Sequence, residues 1–149
     1  MEWFEDLELG KVEHFGSYAV TREEVLDFAR KYDPQPFHLD DAAAAQTHFG
    51  RVAASGWHTC GMTMAMIVKY QDERGHQGLG SPGIDELRFL KPVYPGDTLT
   101  CEREVLEKRV SASKPDMGIF RTRVRTLNQH GEAVLSYVAN AFVRVRPKG

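Results

Sequence analysis

The sequence has little cysteine, almost no net charge and no long apolar run, and each shortage excludes a class of protein. Cys60 and Cys101 are the only cysteines in 149 residues, too few for a disulfide framework and without the CxxC spacing of zinc or redox sites. The formal net charge of −2 removes the overall field that drives binding to nucleic acids or anionic membranes. No stretch approaches the roughly 20 apolar residues of a membrane span. We therefore expect no nucleic-acid partner, no membrane partner and no metal site.

The N-terminal segment also lacks the features of a secretory signal. It opens with acidic residues, among them Glu2 and Glu5, and has neither a basic nor an apolar region of the required kind. We therefore expect a cytoplasmic protein. A hydrophobic fraction of 42% and a charged fraction of 27% are typical of globular proteins, and the length predicts a single domain over residues 1–149.

The first part of the chain predicts a helix followed by a stiff loop. Thr21 and Glu24 form a capping-box motif, in which each side chain is expected to bond the other residue's backbone N–H. Apolar residues then recur with helical spacing, which predicts a helix over 22–32. Pro34 and Pro36 end it, because proline removes a backbone donor and disfavours helical geometry at the preceding residue. The loop that contains them is predicted to be extended.

A longer helix is predicted over 56–70, after a short helical run over 41–49. The longer helix is apolar nearly all round until Lys69, so we expect the rest of the fold to enclose it. It carries no Asp or Glu between Trp57 and Tyr70. Methionine suits irregular packing, so the core is predicted to include Met62, Met64 and Met66. The alternative is that these side chains line an acyl-chain site.

Beyond Gly83 the pattern changes to strands joined by turns rich in proline, glycine and asparagine. The predicted strands cover 84–89, 98–110, 119–128 and 133–145, after a first strand near 13–20. The last three should form an antiparallel meander. The prediction is an α+β domain in which an antiparallel sheet wraps around the long buried helix. The exposed edges of such a sheet need cover, so we expect a homodimer or a higher homo-oligomer.

Asp33 and His38 are the strongest candidates for chemistry. They lie on one turn, where a carboxylate and an imidazole could hold a single water molecule between them. Such a pair can transfer protons during the addition or removal of water. The alternative is that Asp33 caps a turn and His38 packs against the following helix.

The predicted start of the long helix is a second candidate. Helix N-termini present unpaired N–H groups and a partial positive charge, and a glycine lets a ligand approach the backbone closely. The Gly56 N–H could therefore stabilise a developing oxyanion. The alternative is an ordinary N-cap at Ser55, with glycine present for close packing.

Three segments resemble the MaoC-like dehydratase family, which includes the R-specific enoyl-CoA hydratases. The run YDPQPFHLD at 32–40 resembles the family's D-x-N-P-x-H signature. The segment 55–57 falls where the family has a His-Gly-Met start to its central helix, and 83–97 is similar to its strand and Pro-Gly-Asp turn. The resemblance implies a single hot-dog domain over nearly the whole chain.

The resemblance also implies an activity and a site. Water would be added to a trans-2-enoyl thioester of coenzyme A, or removed from a 3-hydroxyacyl thioester, as part of fatty acid metabolism. Asp33 and His38 would be the catalytic pair, and the Gly56 N–H would bind the thioester oxygen. Coenzyme A is part of the substrate, so no separate cofactor is implied. Substrate contacts are expected from Gln35, Ser55, Gly56 and Trp57.

The sequence departs from the family pattern at two places. Gln35 replaces the motif's asparagine, which lengthens by one methylene a side chain expected to orient the site. Ser55 and Trp57 replace the usual histidine and methionine, and the Trp57 ring is expected either to fill the core or to narrow an acyl tunnel.

Two other functions remain open from the sequence. One is a hot-dog acyl-CoA thioesterase; the resemblance implies that such enzymes often take a carboxylate from the central helix, which has none here, so Asp33 would supply it. The other is a non-catalytic acyl-thioester-binding module, which Gln35 favours. His58 is expected to be structural or part of a pocket wall. One face of a predicted strand carries Arg121, Arg123 and Arg125, and we expect this face to be the solvated outer face of the sheet. The alternative is that these arginines bind the phosphates of coenzyme A.

Overall fold

Five strands form one antiparallel sheet in the computed structural model, which describes residues 1–149. The strands are β1 Val12–Ala19, β2 Gly83–Phe89, β3 Thr98–Val110, β4 Met117–Leu127 and β5 Ala133–Arg144. Their order across the sheet is β1-β3-β4-β5-β2, and every neighbouring pair is antiparallel. The predicted α+β class and the meander of the last three strands are confirmed.

Three α-helices accompany the sheet: α1 Arg22–Tyr32, α2 Asp41–Ala45 and α3 Gly56–Glu73. The predicted bounds of α1 are correct, and α3 runs one turn further than predicted. The helix predicted over 41–49 was too long, because α2 ends at Ala45. The Thr47 hydroxyl donates to the Ala44 carbonyl and accepts from the Phe49 N–H, and these bonds replace helical ones. None of the helices combines the length and hydropathy that crossing a bilayer requires.

The main core lies between α3 and one face of the sheet. Met62 and Met66 of α3 are buried there, together with sheet residues that include Leu99 and Leu135. The hydroxyls of Thr63 and Thr126 lie 2.6 Å apart, fully buried, and join the middle of α3 to β4. The helix is therefore held against the sheet by both apolar packing and a buried hydrogen bond.

The prediction that α3 is enclosed on all sides was wrong. Trp57, Met64 and Val68 lie on one side of the helix, at helical spacing, with 59%, 50% and 44% of their surface exposed. Trp57 and Met64 are thus not core residues of this chain. The number of apolar residues in a helix does not tell which of them are buried within the chain and which stay exposed, and α3 has both kinds.

The capping box at the start of α1 forms only in part. The Thr21 hydroxyl accepts from the Glu24 N–H at 3.3 Å, as predicted. The Glu24 carboxylate does not return to Thr21, because it accepts from the Tyr18 hydroxyl at 2.6 Å and from Nε2 of His58 at 2.9 Å. Tertiary partners therefore displace the local contact.

Candidate active site

A cavity of about 470 Å³ lies where the loop after α1, the start of α3 and the end of β2 meet. All five of the residues Asp33, Gln35, His38, Gly56 and Trp57 line it. The structure therefore brings together five of the six residues singled out from the sequence. The sixth, Ser55, is buried immediately beside the cavity.

The loop between α1 and α2 brings Asp33 and His38 face to face. The Asp33 N–H donates to the Ala29 carbonyl and caps α1, so its side chain leaves the helix end. Pro36 then opens one 3₁₀ turn, Pro36–His38, where an extended loop was predicted. This turn places Nε2 of His38 3.4 Å from Oδ2 of Asp33. Both side chains are mostly buried, with 6% and 15% of their surface exposed.

The hydrogen bonds of His38 determine which ring nitrogen faces Asp33. Nδ1 lies 2.7 Å from the Ala53 carbonyl oxygen. A carbonyl can only accept, so Nδ1 carries a hydrogen and donates. In the neutral ring, Nε2 therefore has a free lone pair directed at the carboxylate and the cavity. The ring can accept a proton at Nε2 without losing its anchor.

Asp33 is held as a carboxylate by its neighbours. Burial raises the pKa of Asp33, but hydrogen bonds from Gln35 and Ser55 and the nearby His38 outweigh burial and hold that pKa below its usual range. Gln35 Nε2 donates to Oδ1 at 2.7 Å, and the Ser55 hydroxyl donates to Oδ2 at 2.7 Å. No backbone N–H donates to this carboxylate, so the alternative that its side chain caps a turn does not apply.

Ser55 joins this carboxylate to the start of α3. Its hydroxyl accepts from the Trp57 N–H at 3.3 Å while it donates to Asp33. The N-cap at Ser55 is predictable from the sequence, but its bond to Asp33 is not. The family's asparagine is replaced by Gln35, which nevertheless contacts Asp33 directly.

Gly56 lines the cavity, and its backbone N–H has no hydrogen-bond partner in the protein. Its N–H lies at the first position of α3, so it has no partner within the helix, and it makes no other hydrogen bond in the protein. A Cβ at this position would lie 2.7 Å from the end of the Phe89 ring, closer than side-chain atoms pack. Glycine is therefore required for Phe89 to lie against the start of the helix.

Trp57 lies at the mouth of the cavity, where its ring meets that of Phe89 edge to face at a centroid distance of 5.9 Å. Neither Phe89 nor the nearby His48, Phe49 and Lys91 was singled out from the sequence, although all four line the cavity. No local motif marks them, because they reach the cavity only through the tertiary fold.

His58 and the three arginines considered as possible site residues lie outside the cavity. His58 is buried, but it pairs with Glu24 and stacks on Phe28 outside the cavity. The outer face of β4 carries three arginines, each within 4 Å of a carboxylate on β2 or β3. These are Arg121, Arg123 and Arg125.

Comparison with known proteins adds independent information about this arrangement. Residues 8–127 match the model of the MaoC like domain. The crystal structure of the MaoC-like dehydratase from Rhodospirillum rubrum superimposes with a TM-score of 0.89 at 38% identity, covering 99% of this chain and 100% of that one.

Two relatives match at the level of sequence over most of their length. The uncharacterized protein YdeM of Bacillus subtilis is 30% identical over 128 residues, which cover 84% of this chain and 86% of YdeM. The (R)-specific enoyl-CoA hydratase of Aeromonas caviae is 28% identical over 141 residues, covering 95% of this chain and 97% of that enzyme. Two other relatives are much longer than this chain, and the matches cover 18% and 34% of them. With the domain match, the full-length superposition and the sheet around α3, the chain belongs to the MaoC-like dehydratase family and has the hot-dog fold of its members.

Proposed function

We propose that this protein adds water to trans-2-enoyl thioesters of coenzyme A, and removes it in the reverse direction, with Asp33 and His38 as the catalytic pair. The observation that carries the proposal is the position of Nε2 of His38 3.4 Å from Oδ2 of Asp33, in a cavity that is also lined by Gly56, whose backbone N–H has no hydrogen-bond partner in the protein. The match to a relative named as an enoyl-CoA hydratase supports the same reaction class.

The chemistry needs a proton acceptor, a proton donor and an anion site. A water molecule bonded to both Oδ2 of Asp33 and Nε2 of His38 would lose a proton to the pair as its oxygen bonds to C3 of the enoyl group. The π electrons of the C2=C3 bond would move towards the thioester oxygen, where the Gly56 N–H would stabilise the charge. The proton would then pass from the pair to C2. One water is consumed, and the pair returns to its starting state.

Acid and base roles are not divided between the two residues. A coupled carboxylate and imidazole that share one water titrate as a pair. Gln35 and Ser55 keep the carboxylate ionised and oriented, and Trp57 and Phe89 form an apolar wall at the mouth. No metal or redox cofactor takes part in this scheme.

A second copy of the chain is the expected partner. Strand β2 is a free edge of the sheet, and the apolar stripe of Trp57, Met64 and Val68 on α3 is exposed. Unpaired strand edges and apolar patches are features that oligomer formation covers. We therefore expect a homodimer, and light scattering of the purified protein measures it directly.

The reaction is tested with crotonyl-CoA. Hydration removes the ultraviolet absorbance of the conjugated enoyl thioester, whereas hydrolysis by a thioesterase releases a free thiol, and a binding module does neither. Asp33→Asn and His38→Ala should each lower kcat about 10²- to 10⁴-fold, the typical contribution of a positioned acid or base. His14→Ala, on the exposed outer face of β1, serves as the control and should leave the rate unchanged. Full activity in either site variant would refute the assignment.

A further inference from the structure

A second groove, of about 380 Å³, lies on the outer face of the sheet next to the candidate active site. Leu90 forms part of the wall of both spaces. The charged groups of the groove are three guanidinium groups, from Arg88, Arg123 and Arg125, and one carboxylate, from Glu86. Glu102 and Glu104 lie beside the groove and pair with Arg125 and Arg123, so Arg88 is its one guanidinium group without a carboxylate partner.

Arg88 differs from the other arginines of this face because it has no acidic partner. Arg125 Nη1 lies 3.0 Å from Glu102, and Arg123 Nη1 lies 3.7 Å from Glu104. Arg88 is exposed, and its guanidinium group takes part in none of the ion pairs or side-chain hydrogen bonds of the protein. Its guanidinium group is thus available to an anion without first breaking an existing pair.

A β-bulge in β2 directs Arg88 into the groove. Asp85 pairs with Val138 and Arg88 pairs with Ser136, so β2 has one more residue between these positions than β5 has. Glu86 adopts a φ of +55°, the only positive φ outside glycine in the chain. Because side chains alternate along a strand, the extra residue turns Arg88 to the same outer face as Asp85.

The bulge also aligns the groove with the active site. With Arg88 on the outer face, the preceding Leu87 packs into the core and the following Phe89 lies against Gly56. Arg88 and Leu90 are two residues apart, about 7 Å along an extended chain. A ligand whose thioester lies at Gly56 could therefore pass over Leu90 and reach Arg88 without crossing the sheet.

We propose that this outer groove, with Arg88 as its principal contact, binds the nucleotide phosphates of the coenzyme A substrate. Coenzyme A carries a diphosphate and a ribose phosphate at the end of its pantetheine arm, away from the thioester. Guanidinium groups bind phosphate oxygens with two parallel hydrogen bonds, so an unpaired arginine suits this end of the molecule. The identity of the ligand rests on the proposed function, and the inference adds the place where the nucleotide end of that ligand binds.

Kinetics with two thioesters test this assignment. Crotonyl-CoA carries the phosphates, and crotonyl-N-acetylcysteamine presents the same enoyl thioester without them. Arg88→Glu should raise KM for crotonyl-CoA roughly tenfold at low ionic strength, as expected for the loss of a charged hydrogen bond, with kcat nearly unchanged. The variant should hydrate crotonyl-N-acetylcysteamine as the wild type does. The difference in KM should shrink in 0.5 M salt, because salt screens exposed charges.

Arg109→Glu is the matched control. Arg109 is an exposed arginine on β3 opposite Ile119, at the other end of the strand from Glu102, about 20 Å away. The substitution makes the same charge change without touching the groove, so KM should not change for either thioester. Equal losses with both thioesters in Arg88→Glu would show that Arg88 acts through the fold, and an unchanged KM for crotonyl-CoA would show that the phosphates bind elsewhere. Either result overturns the proposal.

Calorimetry with free coenzyme A separates this proposal from the proposed reaction. The wild type should bind coenzyme A about tenfold more tightly than Arg88→Glu does, whether or not it turns over crotonyl-CoA. If the wild type hydrates neither thioester but binds coenzyme A more tightly than Arg88→Glu does, the result supports the phosphate-binding groove and refutes the hydratase function. Equal affinity of both proteins for coenzyme A would overturn the groove and leave the hydratase function to its own test.

Discussion

The clearest stability prediction concerns Glu2, which is 4% exposed and lies at the end of α3 away from the cavity. Its carboxylate accepts from Nε of Arg74 at 2.6 Å and lies 2.8 Å from Nδ1 of His76. Arg103, itself buried, lies 3.7 Å away. Replacing Glu2 with Gln removes the negative charge that Arg74 and His76 contact, and it leaves the buried Arg103 with Glu13 as its one carboxylate partner.

The size of the effect follows from the pKa of Glu2. Burial raises this pKa, but the hydrogen bonds from His76 and Arg74 and the charges of Arg74 and Arg103 outweigh burial and lower it from 4.5 to about 2. A difference of this size corresponds to about 3 kcal/mol. Removal of one partner from a buried ion pair costs about 3–5 kcal/mol, so both arguments predict a loss near 3 kcal/mol at pH 7.

The same shift determines how the difference depends on pH. Because the pKa is lowered on folding, the stabilisation is complete above pH 4.5 and is lost as the pH falls towards 2. The advantage of the wild type over Glu2→Gln should therefore fall from about 3 kcal/mol at pH 7 to about 2 kcal/mol at pH 3.5.

Urea unfolding at both pH values measures this difference. Glu8→Gln, which alters an exposed ion pair with Lys11, is the control and should change the free energy of unfolding by less than about 0.5 kcal/mol. A loss below about 1 kcal/mol for Glu2→Gln at pH 7 would refute the argument, as would a loss that grows at low pH. Folded Glu2→Gln should keep wild-type kcat, since the network lies outside the cavity.

Two further predictions concern buried hydroxyl groups. Ser55→Ala removes a hydrogen bond that lowers the pKa of Asp33, so the acidic limb of the kcat/KM profile for crotonyl-CoA should move to higher pH. The substitution also removes the N-cap of α3, which should lower the free energy of unfolding in urea by about 1 kcal/mol. If the acidic limb of the kcat/KM profile does not move, Ser55 does not hold the pKa of Asp33 down. Thr126→Val leaves the Thr63 hydroxyl with only the Thr59 carbonyl as a partner, and it should lower the free energy of unfolding by about 1–2 kcal/mol. If the variant is as stable as the wild type, the bond between α3 and β4 contributes nothing.

The parts of the fold predicted correctly depend on local signals. The bounds of α1 follow from an N-cap at Thr21 and from the prolines that succeed Tyr32, all of which act within a few residues. The length of α2 was wrong because Thr47 offered the backbone bonds that compete with the helix. The side chain of Glu24 was wrongly placed because its partners, Tyr18 and His58, come from other elements.

In the candidate site, too, the residues with local signals were predicted, and the contacts between distant residues were not. A short loop and a family motif identified Asp33, His38 and Gly56 as candidates, and the structure places all three at one cavity. The motif did not predict that Ser55 would bond to Asp33, or that Phe89 would lie against Gly56. Those contacts join residues 22 and 33 positions apart, so only the folded chain could bring them together.

The sequence by itself determined the class of fold, the order of its elements and the residues able to carry chemistry, because capping, proline, turn and alternation signals act over short distances. Only the tertiary structure decided which nitrogen of His38 faces Asp33, since the Ala53 carbonyl holds the other one. It also decided that one side of α3 remains exposed and that the bulge at Glu86 turns Arg88 outward. Each of these outcomes depends on packing between distant segments, which no local pattern records.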